Sequence, residues 1–390
     1  MRILQVVTYI SPDGAYGGPV RVAINQAKAL TEQGHTVIVA AAAGGFEGPL
    51  PAEFDGFPVR LFHARRLVPK SGFAGLTSPG LLRWLAQVVR GADVVHVHLA
   101  RDLVTLPAAV LALLMGKPLV LQTHGMVDRT DNPLAVPLDL FLTRPVLGAA
   151  RTVLYLTERE RQDLTDVAGH GLVLRHLPNG VTLPADDAVE RATGTKVDVE
   201  VLYLARLHSR KRPKAFVEAA RELLGGGISA SFKLVGPDEG EASAIQRTIA
   251  NSGFADRIGY EGSLDPKETL GRMMKCDVYV LPSVDEPFPM SVIEAMAAGK
   301  PVVITDTCGL SNQVAAAGAG YVIDDSGAAL AESIRELVEN RSLRSQMGAA
   351  ARRLVERQFD LRRIGAELGA VYQDVLQSGL ETRAQLERVQ

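Results

Sequence analysis

Cysteine is nearly missing from this chain: Cys276 and Cys308 are the only two in 390 residues. Two thiols cannot build a disulfide framework, so a stapled extracellular scaffold is excluded and a reducing compartment is expected. An excess of charge of one sign is missing too. Lys and Arg number 42 and Asp and Glu 44, a net charge of −2, so composition carries no electrostatic footprint for a nucleic-acid partner. Long hydrophobic runs are absent. The longest, Leu103 to Met115, stops at Gly116-Lys117-Pro118. It is too short to span a bilayer and reads as a buried helix. The first residues, Met1-Arg2-Ile3-Leu4-Gln5-Val6-Val7, lack the cationic start, apolar stretch and cleavage site of a secretory signal. A cytoplasmic protein is expected, with any membrane contact peripheral.

What is present is a globular composition, 47% hydrophobic and 22% charged, in a chain long enough for two domains. The first half alternates strand-like and helix-like stretches. Arg2 to Val7 reads as a strand. Val20, Ala23, Ile24, Ala27 and Leu30 then recur with the helical period, and Gly34 closes the helix. Thr36 to Ala41, Val94 to Val97, Pro118 to Thr123 and Thr152 to Leu156 are further apolar strands, of the kind buried in a parallel sheet. Thr182 to Asp198 is polar and aperiodic and reads as a linker. Alternation restarts with strands at Glu200 to Ala205, Phe232 to Val235, Val278 to Leu281 and Pro301 to Ile304. A helix covers Pro213 to Leu224, and another starts at Asp265-Pro266-Lys267-Glu268. The tail from Asp360 reads as helical. The expected class is α/β, with Rossmann-like domains over residues 1–180 and 190–360.

Four segments carry candidate chemistry. The densest is Asp285-Glu286-Pro287-Phe288-Pro289-Met290-Ser291-Val292-Ile293-Glu294-Ala295-Met296-Ala297-Ala298-Gly299-Lys300-Pro301. Two glutamates stand eight positions apart, the first in a loop and the second in the following helix. Eight helical positions span ~12 Å, enough for two ends of an extended ligand, and amides at the helix start suit an anion. Ordinary surface ion pairs fit the spacing equally well. The second segment is Tyr203-Leu204-Ala205-Arg206-Leu207-His208-Ser209-Arg210-Lys211. Fixed cations after a strand end stabilise a departing phosphate most in the transition state; alone, the segment reads as a solvated basic loop. Third is Tyr16-Gly17-Gly18-Pro19, where glycines allow close backbone approach. Fourth is Gln122-Thr123-His124-Gly125-Met126-Val127, a histidine at a strand end, where open α/β sheets bind ligands. His96 and His98 point to one face of a strand, but a third metal ligand is not in view.

Together these segments resemble retaining glycosyltransferase family 4, whose members share the GT-B fold: two Rossmann-like domains facing across a cleft, with a C-terminal helix, here about 361–390, returning to the N-terminal domain. The match includes the trailing Glu-Ala-Met-Ala-Ala-Gly-Lys-Pro-Val-Val. The resemblance implies an N-terminal acceptor domain and a C-terminal donor domain. It puts sugar hydroxyls on Glu286, the nucleotide ribose on Glu294, and the donor diphosphate on Arg206 and Lys211. It also places Gly17 and Gly18 over donor phosphate and His124 beside the transferred sugar. The chain departs from the family at three places. Pro289 replaces a glycine and removes one amide, leaving those of Met290 and Ser291 for sugar and phosphate oxygens. Arg212 replaces another glycine, so Arg210 or Arg212 can share the role of Lys211. Asp128-Arg129-Thr130-Asp131-Asn132-Pro133 replaces a Trp-containing acceptor region of polysaccharide-building members. Gly236-Pro237-Asp238-Glu239 resembles a cleft-edge turn, and Tyr260-Glu261-Gly262 a stretch that meets the nucleobase.

The implied activity is front-face transfer of a sugar from a nucleoside diphosphate, UDP by default, with retention. No Asp-x-Asp occurs, and no metal or other cofactor is expected. The favoured acceptor is a growing bacterial surface glycan or glycolipid, held at the inner membrane face. The basic stretch with Arg60, Arg65, Arg66 and Lys70 would then touch anionic lipid. A soluble small-molecule acceptor, such as an aminocyclitol, is the rival. A non-catalytic nucleotide-sugar-binding protein and a GT-B epimerase share the fold. An oxidoreductase would need G-x-G-x-x-G, which is missing.

Overall fold

A computed structural model describes residues 1–12, 17–68, 72–130, 132, 135–185 and 198–387. The chain forms two compact units, one of Met1–Gly180 with Leu361–Gln390, the other of Val181–Asp360.

The first unit contains strands β1 (Arg2–Ile10), β2 (Thr36–Ala43), β3 (Glu53–Phe54), β4 (Phe57–His63), β5 (Arg65–Arg66), β6 (Leu76–Thr77), β7 (Val94–His98), β8 (Leu119–Gln122), β9 (Thr152–Tyr155) and β10 (Leu174–His176). Its main sheet runs β10-β9-β8-β7-β1-β2-β4-β3. Only the β3–β4 pair in it is antiparallel, and β5–β6 is a separate antiparallel ribbon. Chain direction through the sheet reverses between β1 and β7, where ligand crevices form in such folds. Alternate residues of the strands feed two cores. Leu4, Val95, Leu119 and Leu121 pack with Leu81, Leu85 and Leu106. Ile3, Val94, Val120 and Leu154 pack with Leu30, Ile364, Leu368, Val371 and Tyr372.

The latter four lie on the helix Leu361–Glu387 at helical spacing. Burying side chains of this size stabilises by about 1.5–3 kcal/mol each, so this stripe fastens the C-terminal helix to the first unit. Gly365 permits the approach: a Cβ there would meet the Ala29 Cβ at 2.6 Å. Val20, Ala23, Ile24, Ala27 and Leu30, the face expected from periodicity, are all buried on the helix Gly17–Glu32. The run Leu103 to Met115 yields the helix Thr105–Leu114, buried along one side but with Leu114 exposed at its end.

The second unit holds β11 (Val199–Leu204), β12 (Ala230–Val235), β13 (Ile258–Tyr260), β14 (Val278–Leu281), β15 (Val302–Thr305) and β16 (Gly320–Ile323) in the order β13-β12-β11-β14-β15-β16, all parallel. Its reversal lies between β11 and β14. Every residue of β14 and β15 is buried, as a sheet covered on both faces requires.

Two local expectations change. Residues 182–185, given to the linker by their polarity, belong to the second unit, which starts at Val181: Val181 N–H donates to Phe359 O at 2.9 Å, and Arg352 donates to Pro184 O at 2.7 Å. The rest of that segment, 186–197, lies outside the described residues. At Asp265 the chain first makes a 3₁₀ turn, Pro266–Glu268, with Lys267 N–H donating to the Asp265 carboxylate at 2.9 Å. The α-helix starts only at Thr269.

Candidate active site

In the second unit the two segments singled out from sequence leave the carboxyl ends of adjacent strands, β11 and β14. Beyond β11 a 3₁₀ turn, Ser209–Lys211, is opened by His208, whose Nδ1 accepts the Arg210 N–H at 3.1 Å. The Lys211 ammonium is thereby set against the Glu286 carboxylate in an ion pair that is largely withdrawn from water. Two further bonds tie the loops: the Arg210 guanidinium donates to Asp285 O at 2.6 Å, and Val284 N–H to Arg210 O at 3.1 Å. Glu286 is fixed from its other side by Gly309 N–H, which donates to its carbonyl at 2.8 Å.

The helix begins at Met290, so half of the interval between Glu286 and Glu294 is loop. The span between their carboxylates is set by that loop and not by helical rise. No side chain among the described residues caps the helix. Met290 packs against the core and Glu294 is buried. The Tyr279 hydroxyl lies 3.0 Å from Leu204 O and 2.8 Å from Ser291 Oγ. A carbonyl can only accept, so the single tyrosine proton goes to Leu204 and Ser291 donates its own to Tyr279. That commits the Ser291 hydroxyl inward and leaves its Oγ as an acceptor.

Arg206 faces a different partner, Glu239, at 2.6 Å, and is half exposed. Glu239 belongs to the turn after β12, which approaches the β11 turn because Gly236 has φ +144° and a Cβ there would strike the Ala205 backbone. Arg210 and Arg212, weighed as helpers of Lys211, are engaged on carbonyls. Arg212 occupies the left-handed region at φ +52° and donates to Asp325 O at 2.6 Å and Pro282 O at 3.4 Å. A left-handed position explains why a glycine suits this site in the family; here these bonds offset a cost of about 1–2 kcal/mol. Tyr260 and Glu261 are also occupied within the unit: the Tyr260 hydroxyl donates to Gly236 O at 2.8 Å, and the Glu261 carboxylate accepts both Nε and Nη2 of Arg272.

In the first unit His124 follows β8 at φ +53°. Its Nε2 lies 2.8 Å from Nδ1 of His98, and the rings stack at 5.0 Å and 8°. His98 stacks on His96 at 4.5 Å, and Nδ1 of His96 lies 2.7 Å from the Tyr372 hydroxyl. The two-residue spacing on β7 thus puts both histidines on one face, inside a column of three imidazoles closed by the C-terminal helix. Burial pushes His96 and His124 down to about 3, and His98 well below the ordinary 6.5.

Sequence reasoning missed what holds this loop. Glu160 is buried; its carboxylate accepts Thr123 Oγ–H at 2.5 Å, Gly125 N–H at 2.6 Å and Leu156 N–H at 2.6 Å. Burial pushes its carboxyl up against the opposing pull of these donors. The signal was available: Thr157-Glu158-Arg159-Glu160 has the spacing of a capping box, and Thr157 Oγ accepts the Glu160 N–H at 3.2 Å, while the Glu160 carboxylate reaches the N–H of Leu156, one residue before the cap. Glu160→Ala is expected to destabilise the protein by about 3 kcal/mol, since each buried donor left without an acceptor costs about 1–3 kcal/mol. The urea midpoint should fall with unchanged m; a loss under about 0.5 kcal/mol would remove the clamp from the account. Nearby, buried Asp102 accepts Thr8 Oγ–H at 2.6 Å, joining the ends of β1 and β7 at the reversal.

Two family models match, "Glycosyl transferases group 1" over residues 189–354 and "Glycosyltransferase Family 4" over residues 16–183. The chain belongs to glycosyltransferase family 4. The glycosyltransferase is 24% identical over 347 residues to an alpha-D-kanosaminyltransferase of Streptomyces kanamyceticus, covering 80% of this chain and 89% of that one. It is 28% identical over 402 residues to a D-inositol 3-phosphate glycosyltransferase of Nocardioides, covering 90% and 85%. Among solved structures it resembles Anabaena HepE in complex with UDP and glucose, with TM-score 0.72 and 18% identity over 94% of this chain and 99% of that one. Sucrose-phosphate synthase from Thermosynechococcus elongatus gives 0.73 and 19% over 96% and 100%. The fold is GT-B.

In this glycosyltransferase Gly17 and Gly18 open the first helix, and a Cβ on Gly18 would meet nothing within 4 Å among the described residues. Neither backbone conformation nor packing among the described residues demands a glycine at 18. Tyr16, Lys70, Asp131 and Pro133 lie outside the described residues. Arg60, Arg65 and Arg66 are exposed. Among the described residues no helix is long and apolar enough to cross a membrane, and no group of three or more His, Cys, Asp or Glu is placed to hold a metal ion.

Proposed function

We propose that this glycosyltransferase moves a sugar from a nucleoside diphosphate, with UDP as the first choice, to a hydroxyl acceptor with retention. One observation carries the reading: Arg206, Lys211, Glu286, Ser291 and Glu294 all stand on segments leaving the carboxyl ends of β11 and β14, at the reversal of the second sheet. Cations set there stabilise the charge that develops on the leaving diphosphate. Glu286 takes sugar hydroxyls, Glu294 the ribose, and the Met290 and Ser291 amides the phosphate oxygens. The bond from the anomeric carbon to phosphate breaks while the acceptor oxygen bonds the same face. The acceptor proton passes to a donor phosphate oxygen. No metal takes part, so EDTA leaves the rate unchanged. UDP is supported by the UDP and glucose bound to HepE. A donor screen by nucleotide release tests the class, and the anomeric configuration of the product tests the stereochemistry. An α-linked product from an α-linked donor is expected; a β-linked one overturns retention.

Two acceptor readings have support. A membrane-held glycan or glycolipid at the cytoplasmic face is favoured by exposed Val136, Leu140 and Phe141 and by the exposed arginines 60, 65 and 66. A soluble cyclitol is favoured by likeness to a 2-deoxystreptamine glucosyltransferase and to the inositol phosphate enzyme. Co-sedimentation with anionic vesicles that weakens as salt rises supports the first. Full transfer to a soluble cyclitol without vesicle binding supports the second.

A further inference from the structure

We infer that His98 fixes the tautomer of His124, so that His124 offers its ligand a permanent N–H donor at Nδ1. The inference rests on the reading in which His124 meets the transferred sugar. His98 Nδ1 and His124 Nε2 lie 2.8 Å apart, a hydrogen bond that needs one proton between them. Burial keeps both rings neutral, so each carries a single N–H. If His124 donated from Nε2, the proton of His98 would have to sit on its own Nε2. That nitrogen is buried and has no hydrogen-bond partner among the described residues. An orphaned buried N–H costs about 1–3 kcal/mol and is rarer than an orphaned acceptor. With His98 donating from Nδ1, only a lone pair is left bare in the core. The proton of His124 then resides on Nδ1, the nitrogen that the contact does not use.

The far end of the column is anchored as well. His96 meets the Tyr372 hydroxyl through Nδ1 at 2.7 Å, and its buried Nε2 also has no partner among the described residues. The column is a set of stacked, neutral rings anchored on the C-terminal helix. Turning the His124 ring would bring carbon to His98 in place of Nε2, while Glu160 grips the next amide at Gly125. His124 is then a donor to a sugar or phosphate oxygen and cannot take a proton from the acceptor. His98 acts through it as a positioning residue.

Nitrogen NMR of ¹⁵N-histidine-labelled whole protein tests this without relying on turnover, with His124 identified by its loss in His124→Gln. The expected spectrum shows an N–H nitrogen at Nδ1 and a bare one at Nε2, unchanged from about pH 5.5 to 8. The groups that could titrate around it are His96 and His98 on β7, Tyr372 on the C-terminal helix, and Asp102 and Glu160 beside the loops. His98→Asn keeps a side-chain N–H near the position of Nδ1; it should keep the tautomer and transfer within about threefold. His98→Leu removes the donor. It should shift the His124 proton toward Nε2 and lower kcat/KM roughly tenfold, the loss of one hydrogen bond. A His124 proton on Nε2 in the unaltered protein overturns the inference, as does a tautomer unmoved by His98→Leu. The expected tautomer in a protein without sugar transfer would support the inference and count against the transfer reading alone.

Discussion

Lys211→Ala is expected to lower kcat by roughly 10²–10³-fold with the donor KM changed only a few-fold. The ammonium sits at the carboxyl end of β11, on a turn whose geometry is set by His208. Charge on the diphosphate grows as the glycosidic bond breaks, so a fixed cation contributes more to the transition state than to the bound donor. The ion pair with Glu286 complicates the single variant. Both side chains are largely buried, and removing one partner of such a pair costs about 3–5 kcal/mol because the other charge is left uncompensated. Lys211→Ala combined with Glu286→Gln removes that penalty. A double variant that recovers stability while its kcat stays well below that of the Glu286→Gln single variant separates chemistry from folding. Arg206→Ala should fall in the same range, without the stability cost, because Arg206 is half exposed on its bond to Glu239. Folded Lys211→Ala and Arg206→Ala enzymes with near-full activity would mean that the diphosphate does not bind these cations.

The first unit is expected to lose stability steeply as the pH falls below about 6. His96, His98 and His124 hold folded-state values far below 6.5, two of them about 3, chiefly because burial disfavours the charged ring. On unfolding below pH 6.5 each ring takes up a proton that the folded state does not bind. The stabilisation is therefore complete above 6.5 and is lost as the pH drops toward 3. Each such ring contributes about 1.4 kcal/mol per pH unit, so three approach 4 kcal/mol per unit. Total stabilities are only about 5–15 kcal/mol. Glu160 and Asp102 act in the opposite sense, because burial pushes their carboxyls up. Their contribution is present below the ordinary carboxylate value and is lost as the pH rises through the folded one, so the net slope is smaller than three histidines alone would give. Trp84 is the only tryptophan of the chain and lies in the first unit, packed against Phe62 at 5.3 Å. Its fluorescence in urea titrations at pH 7, 6 and 5 reports this unit directly. His98→Leu should flatten the slope by about a third. Equal unfolding free energies at pH 7 and 5 would show that the rings are not held neutral.

Much of this protein was legible without coordinates because the signals are local. The helical period of Val20, Ala23, Ile24, Ala27 and Leu30 marks its buried face whatever the sheet order. Runs such as Val278 to Leu281 are apolar at every position because both faces of a parallel strand are covered. Glu286 through Pro301 is one continuous segment, and it identifies the family by residue type and spacing alone. β4, β10, β13 and β16 were harder to see. Three of these are only three or four residues long, and β4 is interrupted by Pro58 and Arg60, so periodicity has little to act on.

The sequence by itself determined the α/β class, the family and the residues that line the carboxyl ends of β11 and β14. Tertiary structure alone decided their partners. Lys211 meets Glu286 across 75 positions, and Arg206 meets Glu239 across 33. Tyr372 closes the histidine column from 276 positions away, a pairing that exists because apolar burial docks the C-terminal helix on the first sheet. Propensity and periodicity act over a few residues of chain. Hydrogen bonds and pKa shifts depend on which groups burial brings within about 3 Å and on how much water it removes.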